Sequence, residues 1–330
     1  MVDKSSQSRT RPQSGERVQA HANASVAHDA LTAALACVRL RGAVFGRGAL
    51  ARDWGVASPG LPHILFLVLG GGSAHLTLRV RRRVERVIAP GDTLVLRAGT
   101  PFELRAHRAT PVIAFEQYLA RMARVQPTAA TSVLCGSVEL DAAGEALFGA
   151  SLPPVIQLAA ASGAARGLTG ALVAEVAQPR AASALVQTRL AELLFLEALR
   201  LCVEAEPVGP ARVHEPSGWL RGLRHPAIAH SLAAIHGAPE RAWTVETLAE
   251  CAGMSRSTFA RTFRAATGAT PLAHLASWRM QLAAQKLHET TESLEVIAQQ
   301  AGYTSDEAFS RAFRAWAGMP PGRYRRDGRR

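Results

Sequence analysis

Two arginine-bearing stretches hold the residues best suited to do chemistry. In "RSTFARTFR" (256–264) and "DEAFSRAFR" (306–314), Phe259 and Phe263, and again Phe309 and Phe313, recur four residues apart, the spacing of one face of a helix. At 100° per residue, Ser257, Arg261 and Arg264 then project roughly 130° away from those rings, as do Glu307, Arg311 and Arg314. A guanidinium is always charged and offers its donors in a planar fork. A helix anchored by its rings therefore presents a donor-rich face to something anionic. The alternative for such arginines is a solvated charge on an exposed face. Asp306 and Glu307 could accept a hydrogen bond from cytosine N4, or simply favour the positive end of their own helix.

The elements that must hold these residues are written twice. Ala249, Gly253, Phe259, Arg261, Phe263, Arg264, Gly268 and Pro271 correspond to Ala298, Gly302, Phe309, Arg311, Phe313, Arg314, Gly318 and Pro321. From Gly253 to Gly302 is 49 residues and from Arg261 to Arg311 is 50, so the second copy carries one extra turn residue. Each copy has the grammar of a helix-turn-helix. Thr244 can cap a short helix ending at Cys251, Gly253 supplies the permissive turn, and Ser255 caps a second helix that Gly268 ends. Ser293, Gly302, Ser305 and Gly318 repeat the pattern. Between the copies, "TPLAHLASWRMQLAAQKLHET" opens with Thr270 as cap and Pro271 at the first helical position and has no breaker before Glu289. Roughly 19 helical residues span about 28 Å, near the ~34 Å between successive major grooves on one face of DNA.

Upstream the period changes. "GAVFGRGAL", "HILFLVLGG", "HLTLRV" and "VERVIAPGDTLVLRAGTPFELRAH" are runs of strand length, punctuated by Pro90-Gly91-Asp92 and Gly99-Thr100-Pro101. They predict a barrel or sandwich. "RVRRRVER" (79–86) falls on a hairpin and reads as a charged edge that blocks sheet-to-sheet pairing, the alternative being a second DNA site. "AASALVQTRLAELLFLEALRLCVE" has helical length and apolar residues on most of its circumference. Leu185, Leu193, Leu196 and Leu199 cannot all face one small barrel, so some apolar surface is left for residues 141–170 or for a second copy of the chain. "AEPVGPARVHEPSG" reads as a linker.

Composition sets the outer bounds. The 330 residues suffice for two domains, and 38 basic against 26 acidic residues give +12, which favours an anionic partner. Cys37, Cys135, Cys202 and Cys251 stand far apart with no CxxC pair, which disfavours a zinc site or a disulfide framework and suits a reducing cytoplasm. No apolar run reaches the length of a membrane span, and residues 1–28 lack a signal-peptide core.

Residues 225–325 resemble the DNA-binding domain of the AraC/XylS family of bacterial transcription regulators. The resemblance is carried by Leu248-Ala249, "AGMS", Phe259, Arg261, Phe263, Gly268, Pro271, Arg279-Met280, Ala283, Leu287, Ile297-Ala298, "GYTS", "FSRAFR", Gly318, Pro320 and the "YR" at 324–325. Residues 30–205 look like the cupin-type sensor domain of some members, through "LRGAVFGRGAL", "APGDTLVLRAG", "LCGSVEL" and "SLPPVIQL". The resemblance implies a small β-barrel, then helices, then seven helices on DNA, with a small molecule or partner protein tuning the barrel. Metal-dependent cupins converge several imidazoles and a glutamate on one ion. Here His63, His75 and His107 stand alone, and Phe102 occupies the place where a later His is often found. "GRGALA" (46–51) mimics a dinucleotide fingerprint, but "RDWGVASPG" follows it where a helix is needed. No enzyme activity, cofactor or metal is expected.

The expected organisation is an N-terminal arm (1–28, disordered), a cupin-like β-barrel (29–140), a helical coupling or dimerisation segment (141–206), a linker (207–217) and an all-α domain (218–330) with two helix-turn-helix motifs joined by a long helix. The expected partner is double-stranded DNA, contacted by Arg256, Ser257, Ala260, Arg261 and Arg264 in the first copy and Asp306, Glu307, Ser310, Arg311 and Arg314 in the second. The basic tail is expected to be disordered beyond Arg325. A cytoplasmic homodimer responding to a small effector is the main reading, with RNA polymerase a further partner if it activates. The alternative is an effector-independent regulator whose barrel is a protein-interaction module.

Overall fold

The computed structural model describes residues 30–35, 40–50, 53–80, 83–122, 131–141, 144–160, 163–204 and 215–327. The expected arm and most of the expected linker lie outside these residues. A short helix α1 (30–35) leads into ten strands: β1 Leu40–Leu50, β2 Gly55–Ser58, β3 Ile64–Leu69, β4 Ala74–Arg79, β5 Arg83–Ile88, β6 Thr93–Leu96, β7 Phe102–Arg105, β8 Ile113–Ala114, β9 Thr131–Leu140 and β10 Val155–Leu158. They form two five-stranded sheets, ordered β1-β9-β3-β6-β10 and β5-β4-β7-β2-β8. The barrel therefore takes the form of two facing sheets, antiparallel except where β2 meets β8.

Strand β3 explains its own sequence. All six residues of "ILFLVL" are buried. Leu65, Leu67 and Leu69 pack with Leu76, Leu78 and Leu104 between the sheets, whereas Ile64, Phe66 and Val68 join a second core with the helices that follow. A strand covered on both faces reads as a continuous apolar run. Strand β4 instead alternates: Leu76 and Leu78 lie in the core between the sheets, and His75 and Arg79 occupy the opposite register positions. The charged hairpin strand β5 sits at a sheet edge, as its sequence predicts. Strand β10 lies within a stretch expected to be helical, and it completes the first sheet beside β6. Asp92 joins them, its carboxylate accepting from Gln157 Nε2 (2.8 Å) and from the Ala160 N–H (2.9 Å).

Helix α2 (Phe115–Met122) precedes β9, and a π-helical turn (Glu145–Gly149) precedes β10. Helices α3 (Gly163–Ala177) and α4 (Ser183–Glu204) follow the second sheet crossing. Ala191, Leu194, Phe195, Ala198, Leu199 and Cys202 of α4 are buried. Leu185 (57 %), Val186 (38 %), Leu193 (45 %) and Leu201 (39 %) stay exposed. Of the leucines singled out from sequence, Leu199 thus belongs to the core, Leu196 is half-buried, and Leu185 and Leu193 form the surplus apolar surface.

The rest is helical: α5 Gly218–Leu223, α6 Pro226–Gly237, α7 Val245–Cys251, α8 Arg256–Thr267, α9 Pro271–Glu289, α10 Leu294–Gln300, α11 Asp306–Ala317 and α12 Pro321–Asp327. The expectation of disorder beyond Arg325 is corrected by α12, which continues to Asp327. The Arg325 Nη2 donates to the carbonyl of Glu292 at 2.6 Å, and Tyr324 packs against Phe313. These contacts tie the last helix down.

Candidate nucleic-acid interface

The duplicated phrase folds into duplicated geometry. In the first copy Thr244 and Thr247 form a reciprocal capping box, Gly253 takes φ +63°, and Met254 N–H donates to Ala249 O at 3.0 Å. The Ser255 side chain then caps α8 by accepting from Thr258 N–H. In the second copy Ser293 accepts from Val296 N–H, Gly302 takes φ +76°, Tyr303 N–H donates to Ala298 O at 2.9 Å, and Ser305 caps α11. Both longer helices end on a left-handed glycine, Gly268 or Gly318, whose N–H returns to the carbonyl of Arg264 or Arg314. Only glycine adopts that conformation without a Cβ penalty.

Each longer helix buries its phenylalanines fully, Phe259 with Phe263 and Phe309 with Phe313, in edge-on or tilted pairs 5.6 and 5.7 Å between centroids. Ser257, Arg261 and Arg264 are exposed on α8, and Asp306, Glu307, Arg311 and Arg314 on α11, while Ala260 and Ser310 are half-buried beside them. Arg256 differs from its neighbours. It pairs with Glu246 of α7, an internal use the sequence did not disclose. The Glu307 carboxylate is held below its usual range by its own backbone N–H, then by the Ser305 hydroxyl and the Arg311 charge. It is therefore ionised and turned towards its helix terminus, the arrangement that favours the helix dipole.

The two copies rest on separate cores. The second has its own, built from Met280, Ala283, Leu287, Ile297, Phe309 and Phe313. The first shares a core with the sheet domain through Phe148, Phe195, Trp219, Ile228, Phe263 and Trp278. Trp219 Nε1 donates to Leu147 O at 2.8 Å, and its ring meets Phe148 at 5.5 Å. The His236 ring stacks on Trp278 at 4.2 Å, its Nε2 lies 3.0 Å from Nε2 of His274, and its Nδ1 lies 3.1 Å from Ala30 O. Burial lowers the pKa of both histidines, so the pair is neutral, one ring donating to the other. The boundary between the cores falls on α9, between Trp278 and Met280.

Arg279 sits on that boundary, and sequence reasoning assigned it no role. Its Nε donates to Pro239 O at 2.7 Å and its Nη2 to Arg241 O at 2.9 Å, both in the segment before α7. The same guanidinium lies against the second turn, where a Cβ on Gly302 would fall 2.7 Å from Nη2. Arg279 thus touches both copies. An arginine between a tryptophan and a methionine on the spacing helix was the one sequence signal.

In the sheet domain a cavity of about 500 Å³ opens beside β1, lined among others by Phe45, Leu61, His63, Phe115, Glu116 and Cys135. Burial pushes the Cys135 thiol up to about 12, which removes it as a nucleophile at neutral pH. Among the described residues no group of three or more His, Cys, Asp or Glu could hold a metal ion. Cys135, Cys202 and Cys251 are free thiols. No helix among the described residues is long and apolar enough to cross a membrane.

Comparison with known proteins agrees with both halves of this architecture. Residues 29–204 match the cupin family model and residues 248–327 a helix-turn-helix domain model. An AraC-like transcription regulator of Streptomyces lividans is 36 % identical over 246 residues, covering 72 % of this chain and 79 % of that protein. One of Streptomyces antibioticus is 40 % identical over 179 residues, 53 % of this chain and 57 % of that protein. Among solved structures, the DNA-binding domain of AdpA in complex with a target DNA is 37 % identical, covering 31 % of this chain and 91 % of that one, with a TM-score of 0.29. Two capped helix-turn-helix units behind a cupin domain, and relatives alike across both, lead to one assignment: the chain belongs to the AraC-like family of DNA-binding transcription regulators.

Proposed function

We propose that the chain is a cytoplasmic regulator that sets α8 and α11 into successive major grooves, reading bases through Arg261 and Arg264 in one half-site and Arg311 and Arg314 in the other. The observation that carries this is the pair of anchored helices with those arginines exposed, held apart by the 19 residues of α9, about 28 Å of helix. The side chains of Arg261, Arg264 and Arg314 make no ion pair or hydrogen bond among the described residues, so their donors are available. Ser257, Ala260 and Ser310 line the same faces. Asp306 is the proposed acceptor for a cytosine N4 amino group, whereas Arg256 and Glu307 act mainly within the protein.

The 29–206 portion supplies regulation without catalysis. The cavity beside β1 is the proposed effector site, of a size typical for small molecules, and the exposed stripe of α4 is the proposed contact with a second subunit. RNA polymerase is a further partner where the regulator activates.

Genome-wide mapping of sites bound by the full-length protein would define its operator. On that operator Arg261→Ala and Arg311→Ala should each cost about 1–3 kcal/mol and relax preference at one base in their own half. Equal losses on operator and random DNA would show that these arginines do not read sequence.

A further inference from the structure

The β5 edge of the second sheet holds a polar cavity of about 290 Å³, lined among others by His75, Arg83, Glu85, Arg86, Arg105 and Arg108; Arg86 lies opposite Leu76, on the register that faces the other sheet. It draws on three adjacent strands, β5, β4 and β7, and on the turn after β7. Four arginines line it with one glutamate. Glu85 is already divided between Arg83 (3.0 Å) and Arg108 (3.6 Å). The buried Glu103, next to the wall, is divided between Arg79 (2.6 Å) and Arg105 (2.8 Å). The Arg86 side chain has no ion pair or hydrogen bond among the described residues. Most telling, the Nε atoms of both Arg86 and Arg105 are buried without an acceptor. Buried donors of this kind are costly and rare in native proteins.

An edge strand needs exposed charge to avoid sheet-to-sheet pairing, but it does not need an arginine surplus gathered round a cavity with inward N–H groups left over. What this wall lacks is negative charge and acceptor oxygens together. We propose that the cavity is a binding site for a small oxyanion, a carboxylate or phosphate of metabolite size, separate from the cavity beside β1 and from the DNA-reading helices. The planar fork of arginine pairs with either anion in the same bidentate geometry. The volume lies at the lower end of small-molecule sites. A recess walled by three strands and a turn suits one discrete anion better than the continuous phosphate rows of a duplex.

Isothermal titration of the full-length protein with inorganic phosphate and with citrate, against chloride at matched ionic strength, tests this. At least one of the two should bind saturably. Arg86→Gln, which breaks no ion pair, should weaken that binding by about tenfold or more, the loss expected for a charge-assisted hydrogen bond. The double variant Arg83→Gln/Arg108→Gln, altered only at exposed side chains, should abolish it and serves if Arg86→Gln fails to fold. Operator binding should survive in these variants, and Arg261→Ala/Arg311→Ala should lose the operator while keeping the anion. The proposal is overturned if neither anion binds beyond chloride, or if the folded cavity variants bind as the wild type does. It is equally overturned if the cavity arginines affect only the binding of random-sequence duplex.

Discussion

Replacing Arg279 by Met tests how the two helix-turn-helix units act together. The substitution keeps the helix-forming stem and removes a guanidinium that donates to Pro239 O and Arg241 O on one side and packs on Gly302 on the other. Hydrogen bonds from a charged donor contribute about 1.5–3 kcal/mol when desolvated. This group is only half-buried, so about 1–2 kcal/mol for the two bonds together is the reasonable scale. Neither core is touched, since Trp278 and Met280 stay in place, and both helices remain anchored. The loss should therefore fall on the alignment of the units. Affinity for a complete operator should drop by about tenfold, equivalent to about 1.4 kcal/mol, because a loosened second unit is presented at lower effective concentration. Affinity for either half-site alone should be nearly unchanged. Fluorescence anisotropy on complete, left-half, right-half and one-base-pair-expanded operators reads all of this, and the expanded operator should be penalised less in the variant. Arg279→Lys should fall in between, because a point charge cannot span both carbonyls. If Arg279→Met weakened the half-sites as much as the whole, or changed nothing, the clamp would be wrong.

Three further outcomes follow from particular contacts. Gly302→Ala should destabilise more than Gly253→Ala in urea titrations: both have positive φ, which costs about 1–2 kcal/mol with a Cβ, but only at Gly302 does that Cβ also meet Arg279. Equal losses would remove the close approach from the account. Stability should fall on acidification below about pH 6.5, the ordinary histidine value. There the unfolded chain takes up protons that the buried His236, lowered to about 4, excludes. The stability is complete above that pH and is lost as pH falls, by up to about 1.4 kcal/mol per unit for one such group. His274, which faces it and is lowered to about 3, adds to the same loss. His236→Gln should flatten the dependence between pH 5 and 7, and a slope unaltered in the variant would refute the assignment. Finally, full-length protein should sediment as a dimer at micromolar concentration and Val186→Glu/Leu193→Glu as a folded monomer, since these two side chains lie about 20° apart around α4 and both are exposed. A monomeric wild type would end that reading.

The helix-turn-helix units were legible in the sequence because what builds them is local. A cap reaches three residues along the chain, a glycine turn uses its own dihedral, and the Phe259/Phe263 pair needs only the helical period. Thr244, Ser255, Thr270, Ser293 and Ser305 all act as caps, and α9 runs from Pro271 to Glu289 as its pattern predicts. The same locality let β3 be read as a strand from six apolar residues. Tertiary structure alone decided how otherwise equivalent charges are used. Arg256 is one more arginine in the same short phrase as Arg261, but Glu246 from the preceding helix takes it. Arg325 looks like a tail residue, but Glu292, 33 residues earlier, holds it. Arg279 gains its place only when the segment before α7 and the Gly302 turn converge. The same holds for the core that joins Phe148 to Trp219 and Trp278 and for the arginines gathered on the second sheet. A charge or ring carries no sign of its partner in its own neighbourhood of the chain. Its partner is chosen by the packing of distant apolar faces, which brings those segments together.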